Sequence, residues 1–245
     1  MKKCWVHIRA ILACLLILTS CTEIDQPLNG IDNVVKIETK WQCDDAGNRH
    51  LRIYNKEFDK SGRLVKVTEF DSNGGAKLVR KIRYIESGST ETAEYYNANG
   101  EVDSTNYVNT QADSFGNTIR KVETNATGDT LAICKYLYDG QGNLINSMVV
   151  SADGKSATAT DYFYNQRGSL TTSIQKDAMT GVIQKMDSVV YNTNSSIDKI
   201  LLDESGNMKL INTFYYDASG RIMKECAADA SGKIIKTFIY DYIYY

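Results

Sequence analysis

Histidine, proline, paired cysteines and clustered positive charge are all scarce in this chain of 245 residues. Each scarcity narrows the function. Of two histidines, His7 lies in an N-terminal segment that reads as a removable signal. His50 has no cysteine or carboxylate at ligand spacing, so a solvated strand residue is favoured over a zinc ligand or general base. No metal site is expected. The segment "DGKS" at Asp153 imitates the tail of a phosphate-binding loop, but the position that loop needs as glycine is Val149. The Asp and Gly turns do not follow the nine-residue period of a calcium solenoid. No cofactor is expected. Lys and Arg total 28 against 30 Asp and Glu, and residues 1–20 hold three of the positive charges and none of the negative ones. Removing them leaves 25 against 30, a net −5, with no basic stripe to displace counterions from nucleic acid. Nucleic acid is therefore not an expected partner.

The single proline stands in the tether described next. Lys2, Lys3 and Arg9 flank the apolar run "AILACLLIL", which suits a secretory signal and is too short for a permanent membrane helix. The run ends in Leu18, Thr19, Ser20, Cys21. This "LTSC" resembles the bacterial lipobox, and the resemblance implies cleavage before Cys21 and a lipid on that residue. An ordinary signal peptide with an incidental cysteine is the alternative. Each acyl methylene contributes about 0.8 kcal/mol to membrane binding, so several chains on Cys21 would anchor the protein without a spanning helix. The expected organisation is a signal at 1–20, a lipid-anchored tether at 21–33 and a repeat domain at 34–245, attached to the outer membrane of a cell envelope. Besides Cys21 the mature chain keeps Cys43, Cys134 and Cys226, an odd number without a close pair. That is not a disulfide framework, and three free thiols are expected.

What the chain has is punctuation. Glycines stand at 47, 62, 74, 88, 100, 116, 128, 142, 154, 168, 181, 206, 220 and 232, with Ser195 in the one empty slot. Alternate positions recur every 25 to 28 residues, the mark of a repeat architecture. The segments between them are short and rich in Val, Ile, Tyr, Phe and Thr, so the unit is a pair of hairpins. In Asp217, Ala218, Ser219, Gly220 the aspartate accepts from the backbone two residues on. The middle pair fits a type I turn, and the glycine supplies the positive φ of a following bulge. Tyr216 then pairs with Ile222, as Phe58 does with Leu64, Tyr138 with Leu144 and Tyr164 with Leu170. Each such pair contributes about 0.2–1 kcal/mol. Counting by two extends this apolar face to Ile82, Tyr136, Tyr162, Val189, Phe214 and Phe238. The same count puts Arg63, Glu69, Asn143, Ser147, Ser169, Ser173, Arg221 and Glu225 on a face toward water, and Cys134 and Cys226 on one face.

"FDKSGRL" at Phe58, "YDGQGNL" at Tyr138 and "YDASGRI" at Tyr216 resemble the YD repeats of Rhs-type proteins. The resemblance covers most of residues 41–245 and implies a β-sheet shell or spiral. The expected fold is all-β: an antiparallel meander of about sixteen strands, too many to stay flat, forming a strongly curved sheet, a spiral or a barrel. A membrane-spanning barrel is disfavoured by Arg80, Lys81 and Arg83 in one strand and by Lys66 and Lys224 in mid-strand.

Sixteen tyrosines could form binding platforms or cross-strand core pairs. Tyr95, Tyr107 and Tyr215, off the inward register, are the candidates for ligand contact. Ser104, Thr130 and Ser188 follow aspartates in "DST", "DTL" and "DSV", triplets that resemble the O-glycosylation motif of Bacteroides-like bacteria. The favoured function is a non-enzymatic, lipid-anchored module that binds or scaffolds a protein or glycan. Two alternatives remain open: a small Rhs-like partner of a toxin, and an envelope glycan-active enzyme using carboxylates such as Asp44 and Asp45 or Asp203 and Glu204.

Overall fold

The computed structural model describes residues 34–85, 87–192, 196–203 and 205–245. The expected signal and tether, with Cys21, and also Ser195 and Glu204, lie outside the described residues. Every regular element is a strand: β1 (Val35–Cys43), β2 (Arg49–Phe58), β3 (Leu64–Phe70), β4 (Ala76–Ile85), β5 (Gly88–Tyr96), β6 (Val102–Ala112), β7 (Thr118–Asn125) and β8 (Thr130–Tyr138). The second half continues with β9 (Leu144–Ser151), β10 (Ala157–Tyr164), β11 (Leu170–Asp177), β12 (Ile183–Tyr191), β13 (Ser196–Leu202), β14 (Met208–Tyr216), β15 (Ile222–Asp229) and β16 (Ile234–Tyr244). Neighbours in sequence are neighbours in the sheet, and β1 pairs with β16, so the meander closes into a sixteen-stranded antiparallel barrel. Of the shapes open to the sequence, closure is the one adopted.

The turns explain the regular spacing. At Asp59 the carboxylate accepts from the N–H of Ser61 at 2.9 Å and of Arg63 at 3.0 Å, while Gly62 N–H donates to the Asp59 carbonyl at 2.9 Å. Asp217 does the same with Ser219 and Arg221, and Gly220 sits at φ +76°. The residue after the glycine closes the motif: Arg63 and Arg221 donate Nε to the turn carboxylate at 2.8 Å, and Asn143 donates Nδ2 to Asp139 at 2.9 Å. "DGKS" lies in a hairpin turn one residue longer, opened by Ser151, whose carbonyl accepts from Gly154 N–H at 2.9 Å and whose hydroxyl accepts from Ser156 N–H at 3.1 Å, with Gly154 at φ +67°. Gly88 departs from the series. It opens β5 at φ +147°, and a Cβ there would lie 2.0 Å from the Thr110 carbonyl oxygen, so its backbone packs where no side chain fits.

All four expected aromatic–aliphatic pairs are in register: Phe58 with Leu64, Tyr138 with Leu144, Tyr164 with Leu170 and Tyr216 with Ile222. Beyond each pair the bulge adds one residue, and this overturns part of the face assignment. Tyr215 pairs with Lys224 and Phe214 with Glu225, so Glu225 lies on the aromatic face and Lys224 on the other. Ser147 likewise pairs with Tyr136, Ser173 with Tyr162, and Glu69 with Tyr54. Ser147, Ser173 and Glu225 do not face water: they are buried, Ser147 at 1% exposure. Cys226, opposite Thr213, is on the other face from that of Cys134, which pairs with Val149 beside Tyr136.

The chain divides into two compact units. In the first, Tyr84–Glu91 with Asn106–Met186, the core is Ala132, Cys134, Tyr136 and Val149, with Tyr138 and Leu144 packed against it. Its buried face also carries Ser147, whose hydroxyl lies 3.2 Å from that of Tyr162, and Glu123, which accepts from Asn106 at 2.7 Å. The second unit holds described residues 34–83, Thr92–Thr105 and Asp187–Tyr245, and contains the β1–β16 closure. Its buried positions include Val67, Leu78, Ala93, Ala227 and Tyr240.

Candidate functional site

In the second unit the buried face is built around two matching sets of side chains. Glu38 and Lys40 lie two apart on β1 and so share a face. Glu38 accepts from Tyr54 Oη at 2.8 Å and pairs with Lys56 at 3.3 Å. Lys40 reaches Glu225 at 2.5 Å, and the same carboxylate oxygen accepts from Tyr240 Oη at 2.9 Å. Lys40 also lies over the rings of Phe238 and Tyr240, 4.3 and 5.3 Å from their centroids. Arg80 and Glu69 form a third pair at 3.6 Å on the same face. In these sets each carboxylate faces a cation, and each phenol donates to a carboxylate. In this arrangement the charges neutralise one another in place.

A second regularity is made by the motif tyrosines. Tyr138 donates to the carbonyl of Thr118 at 2.8 Å, Tyr164 to that of Leu144 at 2.9 Å, and Tyr242 to that of Ile222 at 2.7 Å. In each case the acceptor is two residues beyond the glycine of the preceding hairpin. At the closure, Tyr245 Oη reaches the Phe58 carbonyl at 2.6 Å. At these three positions the repeated tyrosine thus ties its strand to the preceding hairpin, a role the aromatic–aliphatic pairing alone does not reveal. The ionic sets carry a sequence signal only once the bulge is counted, when Glu225 falls into phase with Phe214.

The exposed face differs in chemistry. In the first unit Tyr107 is 43% exposed, and Leu137 and Phe163 are also open to solvent, beside the ion pair of Lys176 with Asp161 at 2.6 Å. In the second unit Tyr215 is 38% exposed, with Lys224 Nζ 5.8 Å from its ring centroid. Tyr95 is half-buried, two residues from buried Ala93. Lys66 pairs with Glu57 at 2.8 Å and Lys81 with Glu94 at 3.3 Å, all solvent-accessible. Of the glycosylation candidates, Ser104 and Thr130 are exposed and Ser188 is half-buried. Asp187, which precedes Ser188, is buried against Lys199 at 3.5 Å. Asp44 and Asp203 are occupied by turns, accepting from Asn48 N–H and Asn207 N–H, each at 2.8 Å. His50 is exposed at the start of β2.

Cys43, Cys134 and Cys226 are free and buried. Burial, reinforced by the Asp44 carboxylate, pushes the Cys43 thiol up from its ordinary range. The turn carboxylates move the other way. The Arg63 N–H, together with its guanidinium, lowers Asp59, and the Asn143 amide does the same for Asp139. For Asp217 burial opposes the shift, but the Arg221 N–H and guanidinium outweigh it and the group is lowered too.

No family model matches the chain, and no curated protein matches it. Among solved structures it is similar to a porin-like protein from Bacteroides vulgatus, at 12% identity and TM-score 0.45, over 86% of this chain and 99% of that one. A porin-like protein from Bacteroides uniformis is similar at 9% identity and TM-score 0.39, over 86% and 98%. The Photorhabdus luminescens Tc holotoxin pore is similar at 12% identity and TM-score 0.23, over 80% of this chain and 15% of that one.

Proposed function

We propose that this protein is a lipid-anchored β-barrel of the bacterial envelope, held in the outer membrane through Cys21, that binds or scaffolds a protein or glycan without catalysing a reaction. The observation that carries the reading is the division of labour between the two faces. Charged groups on the buried face of the second unit are spent on Glu38–Lys56, Lys40–Glu225 and Arg80–Glu69, whereas aromatic rings such as Tyr107 lie open on the exposed face. Exposed tyrosines suit a wet contact, since the ring is apolar and the hydroxyl polar. The strands do not suit lipid on the outside, because Lys66 and Lys81 stand within their strands on the exposed face, paired with Glu57 and Glu94. Anchoring by a lipid at the N-terminus is the consistent alternative to spanning.

Two measurements test this. Fatty-acid labelling of cells followed by intact mass should find acyl chains on Cys21, and an unacylated wild-type protein would refute the anchor. A photo-crosslinking residue in place of Tyr107 should give a discrete protein or glycan adduct in living cells, while the same residue in place of buried Tyr136 should not. Adducts at neither position would refute the binding surface.

A further inference from the structure

In the second unit both edges expose aliphatic side chains, with Val102, Met208, Ile234 and Ile235 at the opposite one, but the exposed tyrosines of this unit are all at a single edge. At this edge β1 begins, β12, β14 and β16 end, and β15 begins, as the antiparallel order requires. It carries Val190, Tyr191, Tyr215, Met223, Ile243 and Tyr245, exposed by between 38% (Tyr215) and 55% (Ile243). Two cations accompany them: Lys224 over the ring of Tyr215, and Lys36, exposed, 5.5 Å from the centroid of Tyr245. Neither lysine forms an ion pair among the described residues. The acids nearest the edge are engaged, Asp59 by Arg63 at 2.8 Å and Asp217 by Arg221 at 2.6 Å. Exposed tyrosine, aliphatic and lysine side chains together form the composition that sits at the boundary between lipid headgroups and water.

From this we infer that the edge rests on the bilayer surface, with Tyr215, Met223 and Ile243 entering the headgroup layer and Lys36 and Lys224 facing lipid phosphates. The inference rests on the lipidation of Cys21 and adds an orientation to it. The place where the chain leaves the barrel favours the bilayer at this edge, since the opposite edge, although within reach, would consume most of the connecting segment. Thirteen peptide steps join Cys21 to Val34, a reach of at most about 45 Å, and they arrive at the edge where β1 begins. Contact through this edge requires no reach. Contact through the opposite edge would require the same segment to run back along a nine-residue strand, about 30 Å. If this edge faces lipid, Tyr215 is a bilayer contact, and Tyr107 is the tyrosine left for a soluble partner.

The test uses the acylated mature protein reconstituted into vesicles of phosphatidylethanolamine and phosphatidylglycerol with brominated acyl chains. Tyr215→Trp reports on this edge and Ile234→Trp, at the start of β16, on the opposite one; Trp41 contributes the same background to both. The expected result is a blue-shifted emission for Tyr215→Trp with quenching at least twofold greater than for Ile234→Trp. That difference should be lost in a variant that also carries Met223→Glu and Ile243→Glu. Equal quenching of the two reporters in protein that is acylated and vesicle-bound overturns the orientation and leaves the anchor standing. A Tyr215→Trp emission already blue-shifted in detergent, with a dimeric mass, also overturns it, since a second copy would then cover the edge. Absence of acyl mass on Cys21 overturns the anchor and the orientation together.

Discussion

Two ion pairs near the β1–β16 closure have the same nitrogen–oxygen distance, 2.5 Å, and opposite surroundings, so they separate burial from geometry. Lys40 and Glu225 are 15% and 10% exposed, while Arg49 and Asp241 are 54% and 37% exposed. Replacing Glu225 by Gln removes the charge that Lys40 faces and weakens the hydrogen bond from Tyr240, leaving a cation with little access to water. Breaking one partner of a buried pair costs about 3–5 kcal/mol, whereas an exposed pair is worth about 0–1 kcal/mol. Because Lys40 keeps some solvent contact and lies over the Phe238 ring, the lower end, about 3 kcal/mol, is the expected loss for Glu225→Gln. For a domain of this size that corresponds to a fall in Tm of roughly 10 °C. Urea melts of Glu225→Gln, Lys40→Met, the double variant and Arg49→Ala supply the comparison. The double variant should recover most of the loss, since no unpaired charge remains. A Glu225→Gln protein as stable as Arg49→Ala would refute the reasoning, because the two pairs would then be equivalent despite their burial.

Other expectations follow from single features. Gly220, at φ +76° with nothing within 4 Å of its would-be Cβ, faces only a backbone restriction. Gly220→Val should therefore be less stable than Gly220→Asn, by about 1–2 kcal/mol in thermal melts, and equal stability would remove the turn assignment. The lowered turn carboxylates make acid destabilising. Their folded pKa lies below the unfolded value of about 3.9, so their contribution is complete above that pH and is lost as pH falls through the folded value. Asp139→Asn, which imitates the natural Asn97 and Asn165 turns, should flatten the loss of stability below about pH 4, and an unchanged acid profile would count against this origin. In the mature protein Cys43, Cys134 and Cys226 should titrate fully with a thiol reagent in denaturant and slowly in its absence. A disulfide found without reduction would contradict the burial of three separate thiols.

The turn chemistry was legible because it is local. Asp59, Ser61, Gly62 and Arg63 carry their own geometry within five residues, and the repeated spacing fixed both the number of strands and the pairing of Tyr216 with Ile222. Counting by two does not carry past the turn. A bulge adds one residue after Gly142, Gly168 and Gly220, so Ser147, Ser173 and Glu225 exchange faces with Lys224 and Cys226. Closure was not legible because it joins Lys40 to Tyr240 across 200 residues, and no local pattern encodes a contact of that separation. At the candidate site, Tyr107 and Tyr215 proved exposed as expected from their register, whereas Tyr95 is half-buried. The ionic sets carry no local signal, because a charged residue in a strand reads as solvated, although paired charges satisfy one another on a buried face.

Closure between the first and last strands is tested most directly by a cross-strand disulfide in the protein carrying both Thr39→Cys and Asp241→Cys. These residues are direct partners in the β1–β16 ladder, where paired Cα atoms lie about 4.5–5.5 Å apart, within the span of a disulfide. In an unclosed meander of sixteen strands they would lie roughly 70 Å apart along the sheet. Mild oxidation at low protein concentration, followed by peptide mass mapping, should yield an intramolecular 39–241 link in nearly all molecules. Failure to form that link, in protein whose two new thiols are both reactive, would contradict the closed barrel.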